Sequence, residues 1–331
     1  MAAEFDLIRR HFRRDTGGSD GVVLGVGDDC ALLAPSPGMQ FAVSTDTLIE
    51  GVHFPPDTPA ADVGWKALAV NLSDLAAMGA APRACLLALS LPAADDTWTA
   101  AFAEGFFELV AAAQCPLVGG DTTALPASAP RVLTVTVLGE VPPGEALRRD
   151  GARAGDFICI SGRTGEAAQG LALWQAGLRA GSDAAADAAR ARLLRPVPRL
   201  ALGAGLRGVA SACIDVSDGL LADLQHVLAA SSRAASATLG AQVQLAALPL
   251  APGLANLSLQ QRREFQLAGG DDYELCFTVP PERLLALRVA AGTAGTAVTV
   301  IGTVTQDGAL RCIDGDGSEW LPPRRGYQHF A

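Results

Sequence analysis

The chain has 331 residues, half of them hydrophobic, with few aromatics, 36 glycines and a formal net charge of −10; such a length predicts about two domains with real cores. The acid excess, a single lysine (Lys66) and arginines that form no stripe exclude an extended nucleic-acid surface. No apolar run reaches the roughly 18–20 residues of a membrane span, and the seven cysteines stand singly with no C-x-x-C pair, so they read as small core side chains in a reducing, cytoplasmic compartment.

In chain order, "MAAEFDLIRRHFRRD" has the pattern of an amphipathic helix, not of a signal peptide. β-rich runs follow at 22–24, 41–45, 84–91 and 132–141, with helical patterns at 61–78 and 97–113 between them. The Pro-, Gly- and charge-rich stretch 141–156 precedes a fresh strand at 157–161 and marks a boundary, giving domains 1–145 and 146–331. The second half alternates helices near 166–176, 187–194, 198–208, 218–231 and 281–291 with strands near 211–214, 242–246, 273–279 and 297–304. Segments 180–190 and 232–241 read as surface connections, and no fixed-period repeat is visible.

Six acidic motifs stand between these apolar runs: "GVGDDC" (Asp28, Asp29), "VSTDT" (Ser44, Thr45, Asp46), "NLSDL" (Asn71, Asp74), "VGGDTT" (Asp121), "IDVSDG" (Asp215, Asp218) and "GGDDYEL" (Asp271, Asp272). Each alone has a structural explanation, as a turn residue, a helix cap or a solvated helix position. Five of the six are expected after a strand or before a helix, where loops gather into a site; only "NLSDL" lies within a helix. Their neighbours Val26, Val43, Leu72, Leu75, Val118 and Ile214 are expected to be buried and to draw the acids toward the protein body. Clustered there without cations, the carboxylates would repel and some would take up protons.

Aspartates with Ser and Thr hydroxyls, and no His or Cys at ligand spacing, are hard oxygen donors that suit Mg²⁺. That ion usually takes one or two carboxylates, so this many acids imply several ions and a phosphate-rich substrate. There is no G-x-x-x-x-G-K-[ST] and no H-R-D or D-F-G set, so neither familiar phosphoryl-transfer architecture fits. Gly119 and Gly120 leave room for backbone N–H groups to approach a phosphate. Residues 166–176 follow a glycine turn, where an anion-binding helix start can lie, but Leu171, Ala172 and Trp174 read as core positions and the segment is assigned to packing.

Taken together, "GVGDDCALL", "STDTLIEGVHF", "KALAVNLSDLAAMGA", "GGDTT", "IDVSDGL", "GGDDYELCFTV" and the terminal "GYQHF" resemble the thiamine-monophosphate kinase family, in order and over nearly the whole chain. The resemblance implies the two-domain aminoimidazole ribonucleotide synthetase-like fold, an N-terminal α/β domain with a mixed sheet and a C-terminal α+β domain. It implies a homodimer formed through the N-terminal domains, ATP between the two domains of a protomer, and several Mg²⁺ ions. The implied reaction, the last step of thiamine diphosphate biosynthesis, converts ATP and thiamine monophosphate to ADP and thiamine diphosphate.

Carried over by motif, the implied metal positions are Asp29, Ser44, Thr45, Asp46, Asp74, Asp121, Asp215 and Asp218. ATP contacts fall on Gly120, Asp121, Arg149 and Ser217, and the thiamine end on His53, Asp271 and Tyr327, with no separate general base. The family commonly has Glu where this chain has Asp271, which shortens that side chain's reach by one methylene. Selenophosphate synthetases and hydrogenase-maturation relatives are disfavoured, since the first cysteine is Cys30 without a nearby lysine and the last residues read "GYQHFA". Aminoimidazole ribonucleotide synthetase, or a non-catalytic Mg-nucleotide-binding protein, remain as alternatives.

Overall fold

Alternating apolar positions build a four-stranded sheet in one unit of the chain, beside a two-stranded pair, and a seven-stranded sheet in the other. The computed structural model describes residues 4–14, 21–26, 30–178, 184–324 and 326–327. It divides into one unit of Met1–Leu75 with Ala80–Gly144 and another of Ala76–Gly79 with Glu145–Ala331.

In the first unit, α1 (Glu4–Leu7) continues as a π-helical turn over Ile8–Phe12, and β1 (Val22–Leu24) pairs antiparallel with β2 (Leu32–Leu33). Then come β3 (Gln40–Ile49), α2 (Ala60–Ala77), β4 (Ala81–Leu91), α3 (Asp96–Ala113), β5 (Leu117–Ala124) and β6 (Val132–Val141). The sheet order is β3-β6-β4-β5, with only β4 and β5 parallel. One face carries buried Leu48, Leu133, Val135, Leu87 and Leu89, and the helices contribute Leu68, Leu72, Phe102 and Phe106 to the same core. The two helices meet backbone to backbone: a Cβ on Gly64 would lie 2.1 Å from the Phe102 carbonyl oxygen, and one on Gly105 1.8 Å from that of Ala61. No larger residue fits at either crossing. Helix α3 starts at Asp95, whose side chain accepts the Trp98 N–H at 3.0 Å.

The second unit contains β7 (Phe157–Ser161), α4 (Glu166–Gln175), α5 (Ala184–Leu194), α6 (Leu200–Leu206), β8 (Ala212–Asp215), α7 (Leu220–Ala235) and β9 (Gly240–Gln244). It continues with α8 (Leu259–Ala268), β10 (Leu275–Val279), α9 (Leu284–Thr293), β11 (Val298–Thr305), β12 (Leu310–Ile313) and β13 (Glu319–Trp320). These strands form one sheet in the order β13-β12-β9-β11-β7-β10-β8. Its central strands are buried on both faces, hence the unbroken apolar runs "FICIS" and "LCFTV". Ile158, Ile160, Ile214 and Cys276 pack with Leu220, Leu224 and Val227 of α7. Cys159, Cys213, Leu275 and Phe277 alternate to the other face, against Leu202 and Leu206 of α6 and Leu287 of α9.

Several expectations are corrected. Leu117–Ala124 is a strand although its two glycines and acid read as a turn, because pairing with β4 overrides local propensity. Leu259–Ala268 is a helix that polar composition hid; a capping box between Ser258 and Gln261 starts it. The strands β12 and β13 were not anticipated, and α7 runs on to Ala235, into the segment read as a connection. Six cysteines are buried as expected, but Cys30 is exposed. Val43 is exposed too, since a period of two turns it to the sheet face opposite Ser44. In α4, Trp174 is buried, Leu171 only partly so, and Ala172 faces solvent.

Candidate functional site

In the first unit the "STD" and "NLSD" motifs meet. Asp46 and Ser44, two residues apart on β3, share the face that meets α2. Ser44 Oγ donates to Asp74 Oδ2 at 2.5 Å, and the Asp46 N–H donates to Asn71 Oδ1 at 3.0 Å. Asn71 is itself held by its Nδ2 donating to the Ala67 carbonyl at 3.0 Å. Burial, and then the Asp74 carboxylate nearby, push the Asp46 carboxyl up to about 6. The "NLSD" motif lies within a helix as expected, whereas "STD", expected where the strand at 41–45 ends, lies inside a ten-residue strand, because pairing with β6 runs from Gln40 through Ile49.

Other first-unit positions stand apart from this group. Thr45 turns its hydroxyl to the opposite sheet face, where it bonds Thr136 Oγ1 at 2.9 Å and the Val135 carbonyl at 3.1 Å. Asp121 sits within β5 in register with Ala88, Thr134 and Thr47, on that same opposite face. Three strand spacings separate its row from β3, about 14 Å along the sheet. Gly120 lies so close to β4 that a Cβ would come within 1.9 Å of the Leu87 carbonyl oxygen. Ile8, Phe12, Val26, Leu87 and Leu117 line a small apolar cleft whose other wall is Gly119, Gly120, Asp121 and Thr122. His53 accepts the Ile49 N–H on Nδ1 at 3.0 Å, at the turn after β3. Lys66, the one lysine, is buried in α2 two turns before Asp74. Asp29 lies outside the described residues.

In the second unit, one loop brings together five of the expected residues. Asp215 ends β8 and is buried, and Ser217 and Asp218 follow before α7. The Ser217 carbonyl accepts the Asp271 N–H at 2.8 Å, and the Asp218 carbonyl accepts the Tyr327 N–H at 3.0 Å. Asp271 itself adopts a left-handed backbone with φ 66°, a conformation a short acidic side chain tolerates better than most. Its Oδ1 accepts the Tyr273 hydroxyl at 3.1 Å. Tyr327 is half exposed, and Arg149 is exposed, with its carbonyl accepting the Ser231 hydroxyl at 2.9 Å.

Three further acids in this unit were not singled out for a role by sequence. Asp223, in the first turn of α7, accepts the N–H groups of Ser217, Asp218 and Gly219 on one oxygen at 3.1, 3.2 and 3.1 Å. Burial and then Asp218 push its carboxyl up to about 7, against the pull of those three donors. Asp272 accepts the N–H groups of Gly165 at 2.7 Å and Ala167 at 3.4 Å, so the start of α4 is closed by the chain's own acid, as fits the packing assignment. Burial raises the Asp272 carboxyl well above the usual range. Glu274 is wholly buried and accepts Ser161 Oγ at 2.5 Å, Arg192 Nη2 at 2.5 Å, and Arg199 Nε and Nη2 at 2.7 and 2.5 Å. The acid in the first turn of α7 was the one legible signal, since negative charge there suits the helix dipole; the arginines that meet Glu274 are 82 and 75 residues away in sequence.

Oxygen donors alone make up both groups, which fits a hard cation. Two carboxylates and a hydroxyl converge in the first unit, where burial, and then the Asp74 carboxylate, raise the Asp46 carboxyl. Among the described residues, which leave out Asp29, no three His, Cys, Asp or Glu side chains form a metal-holding group. No described helix is long and apolar enough to cross a membrane.

Comparison with known proteins agrees with both units. The AIR synthase related protein N-terminal domain matches residues 27–141, and the corresponding C-terminal domain matches 153–315. Thiamine-monophosphate kinase of Escherichia coli (strain K12) is 45% identical over 329 residues, covering 99% of this chain and 98% of the relative. The enzyme of that name from Haemophilus influenzae is 40% identical, covering 92% and 89%. Among solved structures, thiamine-monophosphate kinase from Stenotrophomonas maltophilia K279a superposes with a TM-score of 0.84 at 46% identity, over 92% of this chain and 94% of that one. AaThiL complexed with AMPPCP and TMP gives 0.76 at 28% identity, over 98% and 96%. With both domain models matched and such relatives aligned end to end, the chain belongs to the thiamine-monophosphate kinase family of AIR synthase related proteins.

Proposed function

We propose that this protein transfers the γ-phosphoryl group of ATP directly to the terminal phosphate oxygen of thiamine monophosphate, giving ADP and thiamine diphosphate. The carrying observation is the second-unit loop, whose Ser217 and Asp218 carbonyls hold the backbones of Asp271 and Tyr327. Backbone hydrogen bonds thereby link Ser217 and Asp218, which we assign to ATP and metal, to Asp271 and Tyr327, which we assign to the thiamine end. The relatives' activity and the solved complex with an ATP analogue and TMP support this reading.

The acceptor phosphate has a second pKa of about 6 and is already ionised near pH 7, so the reaction needs no strong general base. What opposes it is the approach of two polyanions to an acidic protein. Mg²⁺, when bound, would offset that charge and align the phosphates. In the first unit Ser44, Asp46 and Asp74 would hold one ion, with Asn71 fixing the Asp46 backbone; Thr45 and Asp121, on the opposite sheet face, and Asp29 are assigned to further ions. In the second unit Asp215 and Asp218 would do so. We assign first-unit Gly120 and second-unit Arg149 and Ser217 to ATP, and first-unit His53 and second-unit Asp271 and Tyr327 to thiamine. Asp121 serves both lists. We place the protein in the cytoplasm as a homodimer that engages neither nucleic acid nor membrane, with 1–145 as the dimerising Mg-ATP domain and 146–331 completing the substrate site.

The test is ADP release from ATP and Mg²⁺ with and without thiamine monophosphate, with thiamine diphosphate identified by mass. ADP that appears only with thiamine monophosphate, together with that product, supports the assignment. Phosphate release without the acceptor would make the protein a hydrolase, and nucleotide binding without turnover would make it a sensor.

A further inference from the structure

Three consecutive N–H groups that converge on one point form a concave nest, a feature that ordinarily receives a phosphate or other external anion. In this chain the nest before α7 is already filled. Asp223 Oδ2 takes the N–H groups of Ser217, Asp218 and Gly219 at 3.1, 3.2 and 3.1 Å, and Asp223 is only 3% exposed. Those donors are therefore not offered to a substrate phosphate. The carbonyls of the same segment are also engaged, Ser217 by the Asp271 N–H and Asp218 by the Tyr327 N–H. Just before them, Val216 donates to the Glu274 carbonyl at 2.7 Å and accepts from the Tyr273 N–H at 2.8 Å. The loop is thus tied through its N–H groups on one side and its carbonyls on the other.

We infer that Asp223 is a positioning residue: its carboxylate sets the peptide planes of 217–219 and, through them, the directions in which Ser217, Asp218, Asp271 and Tyr327 face the substrates. The inference rests on the proposed phosphotransfer and extends it to a residue that touches neither substrate. With the nest closed to phosphate, the loop acts through side chains and the order of its backbone.

The test compares Asp223→Ala, Asp223→Asn and Asp223→Glu in the full chain. Hydrogen exchange over residues 215–221, kcat, both KM values and Tm are read for each. Removing an orienting group of this kind costs about 10–100-fold in activity. Asp223→Ala is expected to lose kcat/KM on that scale and to exchange faster at 217–219, while Asp223→Asn, whose Oδ1 accepts the same N–H groups, restores most of both. Asp223→Glu keeps the charge but displaces the oxygen, and is expected to fold yet exchange faster and turn over more slowly. Should the alanine variant fail to fold, the asparagine and glutamate variants still decide. An asparagine variant as impaired as alanine, or wild-type exchange and kinetics in the folded glutamate variant, would overturn the inference. A lower Tm with intact kinetics per folded molecule would make Asp223 merely structural. If wild type fails to phosphorylate thiamine monophosphate, the function falls while the exchange measurement still judges the positioning.

Discussion

Ser44 Oγ lies 2.5 Å from Asp74 Oδ2, so a hydroxyl on the edge strand β3 is bonded to a carboxylate on α2. The bond joins two motifs 30 residues apart and holds Asp74 near Asp46, whose carboxyl burial, and then that neighbouring carboxylate, raise to about 6. Burial and a neighbouring carboxylate together put the charged form of Asp46 under stress.

Asp46→Asn is the direct measure of that stress. The folded carboxyl titrates near 6, against about 3.9 in an unfolded chain, so the folded state binds the proton more tightly and stability is lost as pH rises between these values. In chelator, Asp46→Asn should therefore unfold at a higher temperature than wild type above pH 6, and the difference should vanish below pH 4. Equal midpoints at pH 8 would remove Asp74 and burial as sources of strain. In the Mg-ATP assay the same substitution should lower kcat by about 10²–10³-fold, as when one fixed electrostatic group is lost from a transition state.

Asp121 is exposed on the open sheet face. Asp121→Asn should abolish most turnover while changing unfolding free energy by less than about 0.5 kcal/mol, the range of ordinary surface changes. Full activity in this variant would remove Asp121 from both the metal and ATP lists.

Glu274 is a different kind of acid. It is wholly buried and forms ion pairs with both Arg192 and Arg199. Glu274→Ala strands two partly buried guanidiniums and should cost about 3–5 kcal/mol in urea denaturation. A cost under about 1 kcal/mol would mean that both arginines reach water at no penalty.

Tyr327 is held by its backbone at Asp218, with a half-exposed side chain. Tyr327→Ala should raise KM for thiamine monophosphate about tenfold, equivalent to roughly 1.4 kcal/mol, with KM for ATP unchanged. An unaltered thiamine KM would return the ring to packing.

Gly120→Ala would drive a methyl into the Leu87 carbonyl. Because that carbonyl belongs to the paired strand β4, relief requires breaking the β4–β5 register, and the variant should lose both activity and several degrees of Tm. A variant of native Tm would show that β5 can shift freely.

Much of this protein was legible in its residues. Strand 132–141 and the starts and ends of α2, α3 and α4 fell within a residue of expectation, because apolar periodicity and Gly, Pro or Asp punctuation act locally. The acidic motifs with their Ser and Thr hydroxyls, and the absence of a P-loop, indicated oxygen-donor phosphate chemistry, since donor hardness is a property of the side chains themselves. Tertiary structure decided what depends on neighbours remote in sequence. It made "LVGGDTTA" a strand by pairing it with β4, and it turned Thr45 and Val43 away from Ser44 and Asp46 by the alternation of that strand. It also closed the helix starts of α4 and α7 with Asp272 and Asp223 and buried Glu274 among arginines 75 and 82 residues away. Hydrogen bonds and like-charge repulsion act over a few ångströms of space, and only the folded chain specifies which groups come within that distance.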